Sequence, residues 1–223
     1  MAGALIVFEG VEGAGKSTQV RRLRDRLEAA GVPVTAVREP GGTPLGDAVR
    51  ELLLDPASSL DARAEALLFM ASRAQLIRDV IGPALERGEF VLSDRFFLST
   101  YAYQIAGRGL PEREVREANR LATGGLTPNL TLVLDLPVDD GMRRARARSG
   151  PDRMERSGAE FHERVRCAFR EYATPAWQAA HPECGPIVLV DAAGTEDEVA
   201  GRVAAVLSEQ WPRTFSPLAG SHS

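Results

Sequence analysis

Five short apolar segments recur along the chain and predict the strands of a β-sheet. They are rich in Val, Ile and Leu without polar alternation, and they cover residues 4–8, 34–37, 90–93, 130–136 and 186–190. Such uninterrupted runs are typical of strands that are buried on both faces of a parallel sheet. Each run ends at or near a polar residue, in chain order Glu9, Arg38, Asp94, Asp135 and Asp191.

Longer segments with helical character lie between these strands and after the last one. They cover residues 17–30, 61–87, 112–122, 139–148, 159–180 and 196–210. In the longest, apolar residues recur every three to four positions and form one core-facing stripe, and Pro83 is expected to kink it. Strands that alternate with helices predict a three-layer α/β domain with a central five-stranded parallel sheet. We expect this single domain to span residues 1–211 and the Pro/Ser/Gly-rich residues 212–223 to form a loose tail.

Composition and charge exclude several functional classes. The net charge is −4 and the pI is near 5.5, whereas a general nucleic-acid-binding protein would show a basic surface. No apolar run is long enough to span a membrane, and the N-terminal stretch lacks the basic start of a signal peptide. Cys167 and Cys184 form no C-x-x-C motif. They are expected to be buried, reduced thiols of a cytoplasmic protein.

Residues 10–17 read GVEGAGKS and match the phosphate-binding loop motif G-x-x-x-x-G-K-[ST] between a predicted strand and a predicted helix. Its glycines let successive backbone N–H groups converge on phosphate oxygens. Lys16, the one lysine of the chain, can place a compact charge on the β- and γ-phosphates, and Ser17 can ligate Mg²⁺. Because the chain has no other lysine, the guanine-reading motif N-K-x-D cannot occur, and this excludes a GTPase of the usual kind. We predict an ATP site formed by Gly10, Val11, Glu12, Gly13, Ala14, Gly15, Lys16, Ser17 and Thr18.

Four further segments occur in order with this loop: REPGGT at 38–43, LLFMASRAQ at 67–75, SDRFFLSTYAYQ at 93–104, and an arginine-rich stretch at 134–158. Together the five segments resemble bacterial thymidylate kinases, which belong to the P-loop nucleoside monophosphate kinases. The resemblance implies the P-loop kinase fold. It also implies transfer of the γ-phosphoryl group of ATP to dTMP with Mg²⁺ as cofactor, and a homodimer.

Physical reasoning and the resemblance together indicate the acceptor residues. Glu12 is an acid inside a phosphate-binding loop, and the family carries an acid there near the acceptor sugar; a solvated loop charge is the alternative. Phe69 and Arg73 share one helix face. The resemblance implies that they stack on thymine and donate to its carbonyl, whereas a core Phe beside a surface Arg is the alternative. Asp94 and Arg95 close the third strand, where Asp94 can hold Mg²⁺ and Arg95 can grip phosphates.

The resemblance implies additional contacts with dTMP. Thr100 would help to hold the base, Tyr103 would crowd the 2′ position of the sugar, and Arg38 would contact the acceptor phosphate. The full predicted dTMP set is Glu12, Arg38, Phe69, Arg73, Arg95, Ser99, Thr100, Tyr103 and Gln104.

Arginines crowd residues 143–158, and a Gly-Pro pair interrupts them. Since Gly13 leaves the P-loop without an arginine, a lid formed by this segment can supply cations to the transferred group. We predict Arg148 and Arg153 in that role, beside Lys16 and Arg95 as the other catalytic residues. A solvated basic helix face is the alternative, and it is favoured for Arg143, Arg144 and Arg156.

Two other functions remain open from the sequence. Another nucleotide or deoxynucleoside kinase of the same fold would differ only in its acceptor. A nucleotide-dependent switch or partner-moving ATPase would hydrolyse ATP without any acceptor, and it would expose an apolar patch for its partner.

Overall fold

The strands assemble as their apolar pattern predicts. The computed structural model describes residues 3–147, 153–154 and 157–219. Its strands are β1 (Ala4–Glu9), β2 (Val34–Arg38), β3 (Phe90–Asp94), β4 (Leu130–Asp135) and β5 (Ile187–Asp191). They form one sheet in the order β2-β3-β1-β4-β5 with every neighbouring pair parallel. The predicted α/β fold with a five-stranded parallel sheet is therefore confirmed.

Helices flank this sheet. They are α1 (Lys16–Ala29), α2 (Pro44–Leu54), α3 (Ala62–Leu76), α4 (Gly82–Glu86), α5 (Phe97–Thr100), α6 (Glu112–Thr123), α7 (Val138–Arg146), α8 (Ala159–Tyr172), α9 (Pro175–Ala180), α10 (Glu196–Gln210) and α11 (Pro212–Ala219). Helix α2 was not predicted, although Thr43 caps it by accepting from the Gly46 N–H at 3.0 Å and Pro44 occupies its first turn.

Two predicted helices are interrupted at prolines. The helix predicted for 61–87 passes from α3 through a π-helical turn at Ile77–Ile81 into α4. Pro83 follows that turn, and a proline inside a helix removes an N–H donor and crowds the preceding turn. The helix predicted for 159–180 ends at Tyr172, and α9 restarts at Pro175.

Two expectations about burial are wrong. Residues 212–219 are not a loose tail but helix α11, because Phe215 is buried against Phe90 with ring centroids 5.4 Å apart; residues 220–223 lie outside the described residues. Cys184 is buried as expected, whereas Cys167 is exposed. Across the described ranges, no helix combines the length and apolar content needed to cross a membrane.

The sheet brings distant loops together at one edge. All four residues from Leu5 to Phe8 on the central strand β1 are fully buried, so its carboxyl end is held firmly. Phe8 pairs with Asp94, and Arg38 pairs with the same Asp94 from the other side. The segments that follow β1, β2 and β3 therefore leave the sheet side by side, where open α/β sheets bind ligands.

Candidate functional site

The loop after β1 approaches α7 backbone to backbone. Gly13 has φ +71°, and a Cβ there would lie 2.0 Å from the Gly141 carbonyl oxygen. Conversely, a Cβ on Gly141 would lie 2.3 Å from the Glu12 carbonyl oxygen. Glycine is therefore required on both sides of this contact, which fixes the start of α7 against the P-loop.

Lys16 is folded into the loop that precedes it. Its ammonium donates to the carbonyl oxygens of Gly10 at 3.0 Å and Val11 at 2.9 Å, and the residue is only 6% exposed. Burial, together with the nearby Arg95, lowers the pKa of Lys16 to about 8, although Glu12 opposes the shift. The ammonium is thus poised where phosphates would meet the loop.

Ser17 and Asp94 meet across the carboxyl ends of β1 and β3. The Ser17 hydroxyl donates to an Asp94 carboxylate oxygen. A hydroxyl and a carboxylate oxygen suit Mg²⁺, which takes few protein ligands and shares the rest with water and phosphates. The described part of the chain gathers no group of three or more His, Cys, Asp or Glu side chains suited to a metal.

Arg95 connects the P-loop to the segment 97–107. Its guanidinium donates to the Gly10 carbonyl at 3.2 Å, the Ser99 hydroxyl at 3.0 Å and the Tyr103 hydroxyl at 3.1 Å, and it also pairs with Glu12. Among the described residues it is the one non-glycine residue with positive φ, at +72°. Such backbone strain is typical of functional sites.

Glu12 is not a solvated loop charge. Besides Arg95, it accepts a hydrogen bond from the Tyr103 hydroxyl at 3.2 Å. Burial opposes its ionisation, but Arg95 and Lys16 outweigh burial and lower the pKa of Glu12 to about 2. It therefore stays ionised at any ordinary pH.

A cavity opens between α3 and the segment 97–107. It is lined by eight of the nine residues predicted for dTMP: Glu12, Phe69, Arg73, Arg95, Ser99, Thr100, Tyr103 and Gln104. Arg38 is not among the lining residues and is exposed at the end of the edge strand β2. Arg50 of α2 lines the cavity instead and donates to the Pro40 carbonyl at 3.0 Å.

Arg73 is a buried arginine rather than a surface one. It is 1% exposed, and its Nε and Nη2 each lie 2.7 Å from Oε2 of Glu39. Its Nη1 donates to Thr100 at 3.1 Å and to Asn119 at 2.8 Å. These hydrogen bonds occupy Nε and Nη1, so Nη2, which lies beside Glu39, is the end of the guanidinium that can also donate to a ligand. Burial raises the pKa of Glu39 to about 7, although Arg73 opposes the shift.

Glu9, at the carboxyl end of β1, anchors the segment that carries Arg95 and Ser99, and the sequence analysis did not assign it a role. This fully buried carboxylate accepts from the backbone N–H groups of Phe96 at 2.9 Å and Ser99 at 3.0 Å, and from the Ser99 hydroxyl at 2.5 Å. Burial raises its pKa, although Arg95 opposes the shift. An acid directly after a fully apolar strand was the available signal.

A second cavity lies on the other side of the P-loop. Its lining includes Gly13, Gly15, Thr18, Arg144, Gly194 and Thr195. Arg144 donates to the carbonyl oxygens of Ala192 at 3.4 Å and Gly194 at 3.3 Å, so the solvated-face interpretation is wrong for Arg144. It holds for Arg143, which is highly exposed and pairs with its neighbour Asp140 at 2.6 Å.

Of the two predicted lid arginines, the structure describes Arg153, which lies away from the P-loop. Arg153 donates to the Leu53 carbonyl at 2.8 Å and lies 2.6 Å from a carboxylate oxygen of Glu65. It lines neither cavity, because the buried Glu65 carboxylate holds it against α2 and α3. Arg148 and Arg156 lie outside the described residues.

Proteins similar in sequence and structure share one description. A family model described as thymidylate kinase matches residues 8–181. The chain is 50% identical over 208 residues to thymidylate kinase of Deinococcus radiodurans, covering 93% of this chain and 98% of that protein. It is 50% identical over 194 residues to thymidylate kinase of Pseudomonas fluorescens, covering 86% of this chain and 89% of that protein. The crystal structure of thymidylate kinase from Ehrlichia chaffeensis matches with a TM-score of 0.70 and 30% identity, covering 93% of this chain and 99% of that one.

Proposed function

The chain belongs to the thymidylate kinase family and phosphorylates dTMP, and on that premise we propose how its two cavities divide the reaction. ATP occupies the cavity beside Gly13 and Arg144, with its phosphates in the P-loop. The monophosphate occupies the cavity beside Glu12 and Arg73. One observation carries this proposal: consecutive residues of the loop, Glu12 and Gly13, line one cavity each. The two nucleotides would therefore meet at the loop.

The acceptor cavity offers a distinct group for each part of dTMP. Phe69 provides an aromatic plate for the base, and Nη2 of Arg73 donates to a ring carbonyl. Glu12 and Tyr103 form the wall at the sugar. Arg95 already spans from the loop to Tyr103, so its guanidinium can exchange protein acceptors for phosphate oxygens.

Transfer requires charge and alignment rather than a covalent intermediate. Lys16 would release the Gly10 and Val11 carbonyls and place its ammonium on the β- and γ-phosphates. Arg95 would stabilise the charge that develops between donor and acceptor. Ser17 and Asp94 would hold Mg²⁺, whose charge would offset that of the ATP phosphates.

The lid arginines complete the proposal. We assign Arg148 and Arg153 to the transferred group, which requires Arg153 to leave Glu65. Replacement of Arg153 by Ala should lower kcat by about 10²–10⁴ with little change in dTMP binding, as for loss of a transition-state contact. A higher KM for dTMP with unchanged kcat would instead assign Arg153 to covering the acceptor cavity.

A homodimer is also part of the proposal. Leu67 on α3 is 59% exposed and Leu121 on α6 is 86% exposed, and these two helices pack against each other. Large apolar side chains exposed on adjacent helices favour contact with another protein surface. A second copy of this chain is the partner that the family resemblance implies.

The function is tested by identifying the products. Purified protein is incubated with ATP and Mg²⁺ and with dTMP, dUMP, dCMP or thymidine in turn, and phosphorus NMR follows the new species. When dTMP is the acceptor, we expect ADP and dTDP to accumulate. Free phosphate formed without any acceptor would favour a switch or ATPase. Faster turnover of another acceptor would favour a kinase of different specificity.

A further inference from the structure

Glu65 gathers three side chains around one buried carboxylate. It is fully buried near the start of α3, and its Oε1 accepts from Gln104 Nε2 at 2.8 Å and from Arg108 Nε at 3.3 Å. Its Oε2 lies 2.6 Å from Arg153 Nη2 and 3.4 Å from Arg108 Nη2. Arg108 is itself held over the ring of Phe161, with 4.5 Å between its Cζ and the ring centroid.

This arrangement determines how the Gln104 amide is oriented. A carboxylate between two guanidinium groups accepts hydrogen bonds and donates none, so the NH₂ of Gln104 must face Glu65. Without such a partner the two ends of an amide are nearly the same shape, and either could face a ligand. The amide oxygen of Gln104 is therefore the branch turned away from Glu65.

The oxygen of Gln104 remains available to a ligand. Gln104 lines the acceptor cavity, and across the described residues no side-chain or backbone donor reaches its Oε1. Arg73 lines the same cavity and offers only N–H groups. The cavity thus presents a donor from Arg73 and an acceptor from Gln104.

We propose that Glu65 is a positioning residue that sets the base specificity of the acceptor site by fixing the Gln104 amide with its oxygen toward the base. The proposal rests on the proposed function. A base with an N3–H and a C4 carbonyl, such as thymine or uracil, satisfies both Gln104 and Arg73. Cytosine has a lone pair at N3 and an amino group at C4. The lone pair would face the acceptor oxygen of Gln104, and the amino group would face the N–H donors of Arg73, so neither hydrogen bond could form.

The test compares kcat/KM for dTMP with kcat/KM for dCMP in Glu65→Gln. The neutral amide has nearly the same size, but it can donate as well as accept, so it no longer dictates the orientation of Gln104. We expect the preference for dTMP over dCMP to fall about tenfold or more, as for one misread hydrogen bond at a base edge. A merely structural role would lower both values equally and leave their ratio unchanged.

Matched variants separate Gln104 from the other partners of Glu65. Arg108→Gln removes a cation from the same carboxylate without touching Gln104, and it should preserve the dTMP/dCMP ratio. Gln104→Met should lower the ratio, and adding Glu65→Gln to it should lower the ratio no further. If Glu65→Gln fails to fold, Glu65→Asp retains the charge and withdraws it from Gln104, so the ratio should still fall.

Two results would overturn the proposal. One is an unchanged ratio in folded Glu65→Gln or Glu65→Asp. The other is an equal loss of preference in Arg108→Gln, because that would trace the effect to the ion pairs rather than to the amide. The proposed function is judged separately on the unmodified chain, which must phosphorylate dTMP before any variant is compared.

Discussion

The close approach of the P-loop to α7 makes Gly13→Ala far more damaging than the same change two residues later. A new Cβ at Gly13 would lie 2.0 Å from the Gly141 carbonyl oxygen, where φ is +71°. At Gly15, φ is +93°, but no atom lies within 4 Å of the position that a Cβ would take. The two changes therefore share the conformational strain and differ in the steric overlap.

The structure sets the size of the difference. Alanine with positive φ costs about 1–2 kcal/mol, and both variants incur this cost. Gly13→Ala adds an overlap with backbone that cannot rotate away, and overpacking of this kind costs about 1–3 kcal/mol more. We expect the free energy of unfolding to fall by about 1–2 kcal/mol in Gly15→Ala and by about 2–5 kcal/mol in Gly13→Ala.

Urea unfolding without nucleotide measures both values, and it avoids the separate effect that a Cβ at Gly15 would have on bound phosphate. The midpoints should differ while the slopes agree, since both variants reach the same unfolded state. Equal losses in the two variants would refute the reasoning, because the contact between Gly13 and Gly141 would then contribute nothing.

Four further predictions follow from the site and the surface. Lys16→Arg should lower kcat on the order of a hundredfold, because a planar fork cannot replace a compact charge among the loop carbonyls; near-normal turnover would contradict this. With the pKa of Lys16 near 8, kcat/KM for ATP should be constant below about pH 8 and fall above it as the ammonium loses its proton, and a flat profile up to pH 10 would exclude this titration. Arg73→Ala should raise KM for dTMP far more than KM for ATP, and equal effects on both would remove Arg73 from the acceptor site. Leu121→Glu should shift the proposed dimer to monomer in light scattering, whereas an unchanged mass would place any interface elsewhere.

The sequence predicted the elements whose signal is local. Each strand of the parallel sheet is a continuous apolar run, so its position follows from hydrophobicity alone. Helix α2 was missed because the Pro-Gly-Gly segment before it is typical of a turn, whereas the local signal for the helix is limited to the cap at Thr43 and the proline that follows it. Helix α11 was missed because the composition of 212–223 suggested disorder, while the burial of Phe215 depends on distant packing against Phe90.

In the candidate site too, residues within local motifs were predicted, whereas contacts between residues far apart in the chain were not. The P-loop and the acceptor residues occur in motifs of fixed spacing, and those motifs identified most of the acceptor cavity. The role of Glu65 depends on Gln104, which lies 39 positions further along the chain, and no spacing rule connects the two residues. Arg153 was predicted to supply a cation to the transferred group from a lid that closes over ATP, and in this structure it lies beside the buried Glu65 carboxylate.

The central claim is that donor and acceptor occupy the two cavities on either side of the loop formed by Glu12 and Gly13. A crystal structure of the chain with dTMP and ADP tests this most directly. We expect thymine against Phe69 with its carbonyl at Arg73, the acceptor phosphate at Arg95, and ADP with its phosphates around Lys16. Thymine in the cavity beside Arg144, or a dTMP phosphate out of reach of Arg95, would contradict it.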